Sequence, residues 1–385
     1  MRQALLSGLK HHAAMGPIIH AMPERAAPAP LLGPCPDPAP DRLTRLFRHA
    51  LATSAGPALL PLLSAHRLAT PGAGNSKPAP GTTPPAGLAT GAAPAGATSP
   101  LQDTGLIDRL VQRIHDLPPL PEAVVALMRA LHQDDLSTQH CVELIERDPA
   151  LAARTLRLAN SAFYGAPGKV HNIGDAVRLL GLRTVSGLLT AVALRQALRA
   201  DACAAFDFRA FWRHAIGTAL AARALATVAG HDADEAFLAG LMHDIGKLAL
   251  ATFHPEETAR AIALARESDI SAERAELSVL GIGHSRLGAL LARQWRFPET
   301  IVRGIDLHHA PEPAAAGQRV SLSGLLQVAD ALVHALDVNH DEHEAVPTIH
   351  PDVWAGLDLR DDDALRILAK VETGIQELSA LLQGA

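Results

Sequence analysis

The chain has few aromatic side chains to build with: Phe, Trp and Tyr together make up 3% of its 385 residues. A chain this long can bury a substantial core. That core must come mainly from Leu, Ala, Val and Ile, within a hydrophobic share of 48%. Cysteine is also scarce. Cys35, Cys141 and Cys203 lie far apart with no C-x-x-C, which argues against a disulfide framework or a thiolate zinc site and fits a reducing cytosol. Nor does one sign of charge dominate. Lys and Arg number 34 against 40 Asp and Glu, a formal net charge of −6, so no global field draws the chain to nucleic acid or an anionic membrane. The longest uncharged apolar run of the folded part, Thr184 to Leu194, falls well short of the roughly 20 residues of a membrane span. The N-terminal stretch has no unbroken apolar core of the kind a signal peptide needs. The expectation is a soluble, cytoplasmic protein.

Strand patterning is missing too. No alternating apolar run is long enough for a strand, and no repeat recurs. Between Thr70 and Pro100, 21 of 31 residues are Pro, Gly or Ala. Such a segment cannot bury enough surface to offset its ordering entropy, so residues 1–104 read as a disordered arm, with a short isolated helix within 41–68. After Leu106 helical spacing begins. Leu106, Leu110 and Ile114 mark one helix, and a second opens at Pro121 with Val124, Leu127 and Leu131 inward. Asp148-Pro149 is a helix start, and Asn172 caps a helix that Gly181 ends. Further helices are expected over 211–228, 233–250, 255–267, 273–295 and 321–335. The fold class is all-α.

What the chain has in surplus is histidine, 20 residues. The informative segment is AFLAGLMHDIGKLAL, 236–250, an apolar helix interrupted by His243, Asp244 and Lys247. Lys247 lies three residues after Asp244 and four after His243, hence on one face. Burying this trio costs several kcal/mol unless partners satisfy it. Candidate partners are His214, His284, His308, His309 and Asp330. Imidazole and carboxylate without thiolate is a ligand set for iron, manganese or zinc. A carboxylate such as Asp244 can bridge two ions, and two ions roughly 3.5–4 Å apart can clamp a phosphate ester, with Lys247 neutralising a phosphoryl oxygen. The competing reading is a metal-free polar network. In it His284 is a helix N-cap residue, one ring of His308-His309 faces solvent, and Lys247 snorkels from its helix. Asn160-Ser161 ends its helix by side-chain-to-backbone bonds. The other histidines, His334 among them, fall in loops, helix ends or the arm and read as surface residues.

H-D-I-G-K with an upstream histidine resembles the HD superfamily of metal-dependent phosphohydrolases. Five segments in order narrow this: LPPLPEAVVALM at 117–128, RDPALAARTLRLANSAFYG at 147–165, HNIGDAVRLLGLRTVSGLL at 171–189, EAFLAGLMHDIGKLAL at 235–250 and LGIGHSRLGALLARQWRFPETIVRGIDLHH at 280–309. Together they resemble the HDOD family, the HD-related output domain. The resemblance implies a bacterial signal-transduction module of two helical lobes, an N-terminal one over 105–205 and an HD-like one over 206–340, with 341–385 as a helical tail. It implies action by contact with other signalling proteins, since most such domains have no established catalysis. Carried over from the related HD-GYP phosphodiesterases, the ligands of one or two divalent ions fall on His214, His243, Asp244, His284, His308, His309 and Asp330. Two departures weigh against catalysis on cyclic di-GMP. Ala210 stands where some HD-GYP enzymes have a liganding Glu, and Ala-Pro-Glu-Pro follows His309 with no G-Y-P. The alternative functions are a metal-dependent phosphohydrolase and a nucleic-acid binder using 172–195 as a helix-turn-helix. The second helix of that pair has an apolar centre and reads as core.

Overall fold

A computed structural model describes residues 45–50, 138–161, 168–198, 202–312, 319–339 and 341–383. The expected linker at 70–100, the two helices expected between 106 and 131, and most of the 41–68 helix lie outside them. All regular structure among the described residues is helical.

The first four described helices are α1 (Thr138–Glu146), α2 (Pro149–Ala159), α3 (Ile173–Leu180) and α4 (Leu182–Ala197). Their ends follow the local chemistry. Asp148 Oδ1 accepts the Leu151 N–H in the first turn of α2, and Asn172 accepts the Asp175 N–H at the start of α3. Asn160 ends α2 as expected, donating to the Leu156 carbonyl at 3.0 Å, and it also clamps the chain beyond by exchanging two bonds with Val170. α4 is buried from Thr184 through Val192, so it presents no face to a nucleic-acid groove.

The helices that follow are organised around α5 (Phe208–Ala229), the long helix that carries His214. α6 (Ala233–Met242) packs on it, followed by α7 (Ile245–Phe253), α8 (Pro255–Ser268), α9 (Ala272–Leu280), α10 (His284–Gln294), α11 (Glu299–Asp306) and α12 (Leu322–Ala335). Two of these pairs differ from the sequence expectation. The helix expected over 233–250 breaks at His243-Asp244 into α6 and α7, and the one expected over 273–295 breaks at Gly281-Ile282-Gly283 into α9 and α10. Apolar periodicity runs through both breaks, which is why periodicity did not reveal them. The stretch 233–253 is long and apolar enough for a membrane span by composition, but 83% of its most apolar window is buried within the fold.

Beyond α12, α13 (Pro351–Gly356) and α14 (Asp361–Gln383) complete the described chain. α14 packs along α5, with Ile367, Val371, Ile375 and Leu378 buried. At the other end, residues 45–50 fall within the short helix expected over 41–68 and pack rather than stand isolated. Leu46, Phe47 and Ala50 are buried, and the Leu46 carbonyl accepts the Val346 N–H at 2.8 Å. Three apolar side chains within five residues supply enough burial to order one turn of chain.

Candidate metal centre

Two close helix approaches set the geometry of the polar pocket. A Cβ at Gly240 would lie 2.8 Å from the Ala219 Cα and the Thr218 carbonyl oxygen, so α6 rests directly on the α5 backbone. A Cβ at Gly246 would lie 2.0 Å from the His284 carbonyl oxygen, so the start of α7 abuts the start of α10. The chain turns between these two contacts, and His243 and Asp244 occupy the turn. His243 keeps right-handed helical angles while Asp244 leaves them, with φ −101° and ψ 9°. Both side chains can therefore point into one space despite being sequence neighbours on what would otherwise be diverging helix faces.

All seven ligand candidates converge there. His214, His243 and Asp330 form one group, and Asp244, His284, His308 and His309 form another, the donor atoms of each lying within 4.8 Å of one another. Asp244 stands between the groups and offers one oxygen to each. Its Oδ2 is 3.4 Å from His243 Nε2 and 3.8 Å from His214 Nε2, and its Oδ1 is 3.2 Å from His284 Nε2 and 3.8 Å from His308 Nε2. In the inner group His214 Nε2 is 2.9 Å from Asp330 Oδ1 and 3.3 Å from His243 Nε2. In the outer group His309 is exposed, yet its Nε2 turns back to within 2.8 Å of His284 Nε2. Lys247 leans on the same carboxylate, with Nζ 2.7 Å from Asp244 Oδ2.

The rings are aimed from behind. His243 Nδ1 donates to the Gly240 carbonyl at 2.7 Å and His308 Nδ1 to the Ile305 carbonyl at 2.6 Å. A carbonyl only accepts, so the proton sits on Nδ1 and Nε2 is the atom turned to the pocket. His284 is not the cap residue, which is Gly283, but the first residue of α10. Its Nδ1 faces two carboxylates, Glu276 at 2.7 Å and Glu273 at 3.0 Å, and Glu276 also accepts its backbone N–H.

Charge is distributed accordingly. Burial opposes charge on His243, but Asp244 and Asp330 outweigh it and raise its pKa to about 9. Burial and then His309 hold His308 well below the usual imidazole range, so it is neutral. His309 is exposed as a residue but its ring is turned into the pocket, and desolvation of that ring, followed by the charge on His284, pushes it down to about 4. Asp244 and Asp330 stay ionised, because surrounding cationic groups outweigh their own desolvation.

Three pocket atoms are left over: Asp244 Oδ1, His308 Nε2 and Asp330 Oδ1 are buried without a hydrogen bond. The neighbours of the two carboxylate oxygens are near enough in distance but not at hydrogen-bond angles. A neutral imidazole nitrogen and an ionised carboxylate oxygen, both buried, thus lie 3.8 Å apart. Leaving such groups unsatisfied costs about 1–3 kcal/mol each, more when charged. A divalent cation satisfies them together, and nitrogen with carboxylate oxygen suits iron, manganese or zinc. The residues fit a divalent ion, and Asp244 would offer an oxygen to either group.

The sequence reading missed part of the surroundings. His334, read as a surface residue, is half-buried on α12, one turn after Asp330, with Nε2 3.3 Å from Asp330 Oδ1 and Nδ1 2.9 Å from Glu344 Oε1. Its i,i+4 spacing from Asp330 was the available signal. Glu273 and Glu276 were hidden inside an expected continuous helix, and Glu344 in an expected tail. Ala210, one turn before His214, supplies no donor.

Comparison with known proteins gives the same outline. The HDOD domain family profile matches residues 117–311, half of the chain. A crystal structure from Shewanella amazonensis, described as a candidate phosphohydrolase, is 28% identical and superposes with a TM-score of 0.57 over 71% of this chain and 97% of that one. Another from Marinobacter aquaeolei, described as a candidate signal transduction protein, is 25% identical with a TM-score of 0.59, over 73% of this chain and 66% of that one. An uncharacterised protein of Treponema pallidum is 28% identical over 248 residues, 64% of this chain. The chain spans about half the length of that relative, 47%.

Proposed function

The chain belongs to the HDOD domain family, and from that premise we propose that it is a cytoplasmic signalling module acting by contact with other signalling proteins, with one or two divalent ions held in its histidine–aspartate pocket. The observation that carries the metal part is the unsatisfied pair Asp244 Oδ1 and His308 Nε2, buried and facing one another. His214, His243 and Asp330 would hold one ion and His284, His308 and His309 the other, with Asp244 available to both. The signalling part is supported by the family and by the description of the Marinobacter aquaeolei protein. Nucleic acid is a poor partner because α4 is buried and the net charge is −6.

A metal-dependent phosphohydrolase is the second reading, favoured by the description of the Shewanella amazonensis protein and by the exposed His309 at the outer group. Divalent ions bound there supply Lewis-acid polarisation of a phosphoryl oxygen. The chain's own contribution is thin: Lys247 is bound to Asp244, Ala210 offers no donor, and no aromatic follows His309 before Val320 to stack a base. Elemental analysis of protein purified without a histidine tag, alongside phosphodiesterase and nucleotidase assays, separates the readings. Bound metal with no turnover supports the signalling module. Turnover near 1 per second or faster, about the lower end for enzymes, that disappears in both His243→Ala and Asp244→Ala makes it an enzyme. Metal-free protein that gains no stability from added iron, manganese or zinc removes the metal from the proposal.

A further inference from the structure

Behind the two ligand groups lie two supports that are distant in sequence. The outer one is α9, whose Glu273 and Glu276 hold His284. The inner one is the segment 341–346, whose Glu344 holds His334 against Asp330. Among the described residues, a side chain of the N-terminal segment ties the surroundings of these two supports together, beside the Arg266–Asp341 ion pair that also links α8 to 341–346. Arg48 donates from Nε to Asp269 Oδ1 at 2.7 Å, in the turn that leads into α9. It also donates to the backbone carbonyls of Glu344 at 3.0 Å and His343 at 3.2 Å. Asp269 holds a left-handed φ of 50°, an unfavourable conformation for a non-glycine residue, at the end of α8. The segment is pinned on both flanks of Arg48: Leu46 pairs with Val346, and Phe47 and Ala50 are buried. A planar guanidinium with several donors in fixed geometry can tie a carboxylate and two carbonyls from separate loops.

We propose that residues 45–50 form a latch coupled to the metal centre. Docked, the latch fixes the 341–346 segment and the α8–α9 turn, and so holds His334–Asp330 and Glu273/Glu276–His284 in the geometry that presents ligands to the ions. This rests on the metal-holding reading above. Coupling between two sites is reciprocal. If the docked latch tightens ion binding by some factor, bound ions hold the latch down by the same factor, and a partner that captures residues 45–50 loosens the ions equally. The N-terminal segment thereby becomes the route by which occupancy of the pocket is read, or by which an input changes it.

The test uses the full chain and Mn2+ as the probe. Binding is titrated for the unmodified protein, Arg48→Ala and Asp269→Asn, the second leaving residues 45–50 intact. Hydrogen exchange of the amides of 45–50 and 341–346 is followed with and without Mn2+. Both variants are expected to weaken Mn2+ about tenfold, within the usual range of allosteric coupling, and Mn2+ is expected to slow exchange in both segments of the unmodified protein. Mn2+ binding that is unchanged in both variants, or exchange at 45–50 that ignores Mn2+, overturns the latch while leaving the metal centre standing. An unmodified protein that binds neither Mn2+ nor iron nor zinc overturns both.

Discussion

The inner and outer halves of the pocket share Asp244 but are built on opposite plans. The inner group is closed, with His214, His243 and Asp330 all buried; His243 leans on the Gly240 carbonyl, and Asp330 is backed by His334 and Glu344. The outer group opens to solvent at His309 and is backed by formal charge, the two carboxylates behind His284. Carboxylate support raises the basicity of a liganding imidazole, while burial slows exchange with water. The inner half therefore resembles a structural site and the outer half an exchangeable one, so the two should respond differently to the same kind of lesion.

The largest effect is expected where that contrast vanishes, at the residue both halves share. Asp244→Asn keeps the shape but removes the charge from both groups and leaves Lys247 without its carboxylate. Metal content should fall to background, with a loss of about 3 kcal/mol in stability, as when one partner of a buried pair is removed. Metal retained at half the unmodified stoichiometry would show that one half stands without the bridge. Next comes Gly246→Ala, which forces a methyl against the His284 carbonyl at the junction of α7 and α10. Since that contact is with backbone, the helices must separate, at a cost of about 1–3 kcal/mol for overpacking. Outer-site metal should be lost before inner-site metal, since α10 carries a ligand, His284, for the outer group alone. Denaturant unfolding with metal analysis reads both.

Much of this pocket was legible in the sequence because its ligands are rare residue types embedded in apolar helices. His243, Asp244 and Asp330 stand out against Leu and Ala neighbours, and the capping residues Asp148, Asn172 and Gly181 act locally. The helix breaks at 243–244 and 281–283 were not legible, because apolar spacing continues through both. Nor were the supporting carboxylates. Glu273, Glu276 and Glu344 look like ordinary surface glutamates until the fold brings them against a histidine. The docking of Phe47 depends on chain some 300 residues away, and no local pattern encodes that.

A pH comparison tests whether the charges in the pocket await a cation. In the metal-free protein His243 has a pKa of about 9 and His334 of about 10, raised above the ordinary 6.5 by their carboxylates against the cost of burial. A raised histidine contributes stability that is fully present below about 6.5, the unfolded value, and is lost as pH climbs through the folded one. The metal-free protein should therefore lose several degrees of thermal midpoint between pH 7 and 10. The ionised carboxylates act in the opposite range, their contribution fading only as pH falls below the usual carboxylate value. Metal binding displaces the ligand protons, so the loaded protein should show a flatter profile and bind metal more tightly as pH rises. Parallel profiles for the two forms would mean that the metal does not sit among these histidines.

The smallest expected effect is on the stability of His309→Ala, and its contrast with His214→Ala sharpens the inner–outer distinction most directly. His309 is exposed and pushed down to about 4, so it is neutral near pH 7 and contributes no ion pair. Removing it should change stability by no more than about 0.5 kcal/mol, the usual range for surface positions. It should nevertheless lower the affinity of one ion, because the outer group then keeps Asp244, His284 and His308. His214 is buried against Asp330, so His214→Ala opens a space in the core and strands a carboxylate. Its cost should be about 2–4 kcal/mol even without metal, within the range for buried truncations. Calorimetry of both variants, apo and with Mn2+, decides the matter. If His309→Ala destabilises the apo protein as much as His214→Ala does, the outer half is part of the folding core, and the division into a structural and an exchangeable site is wrong.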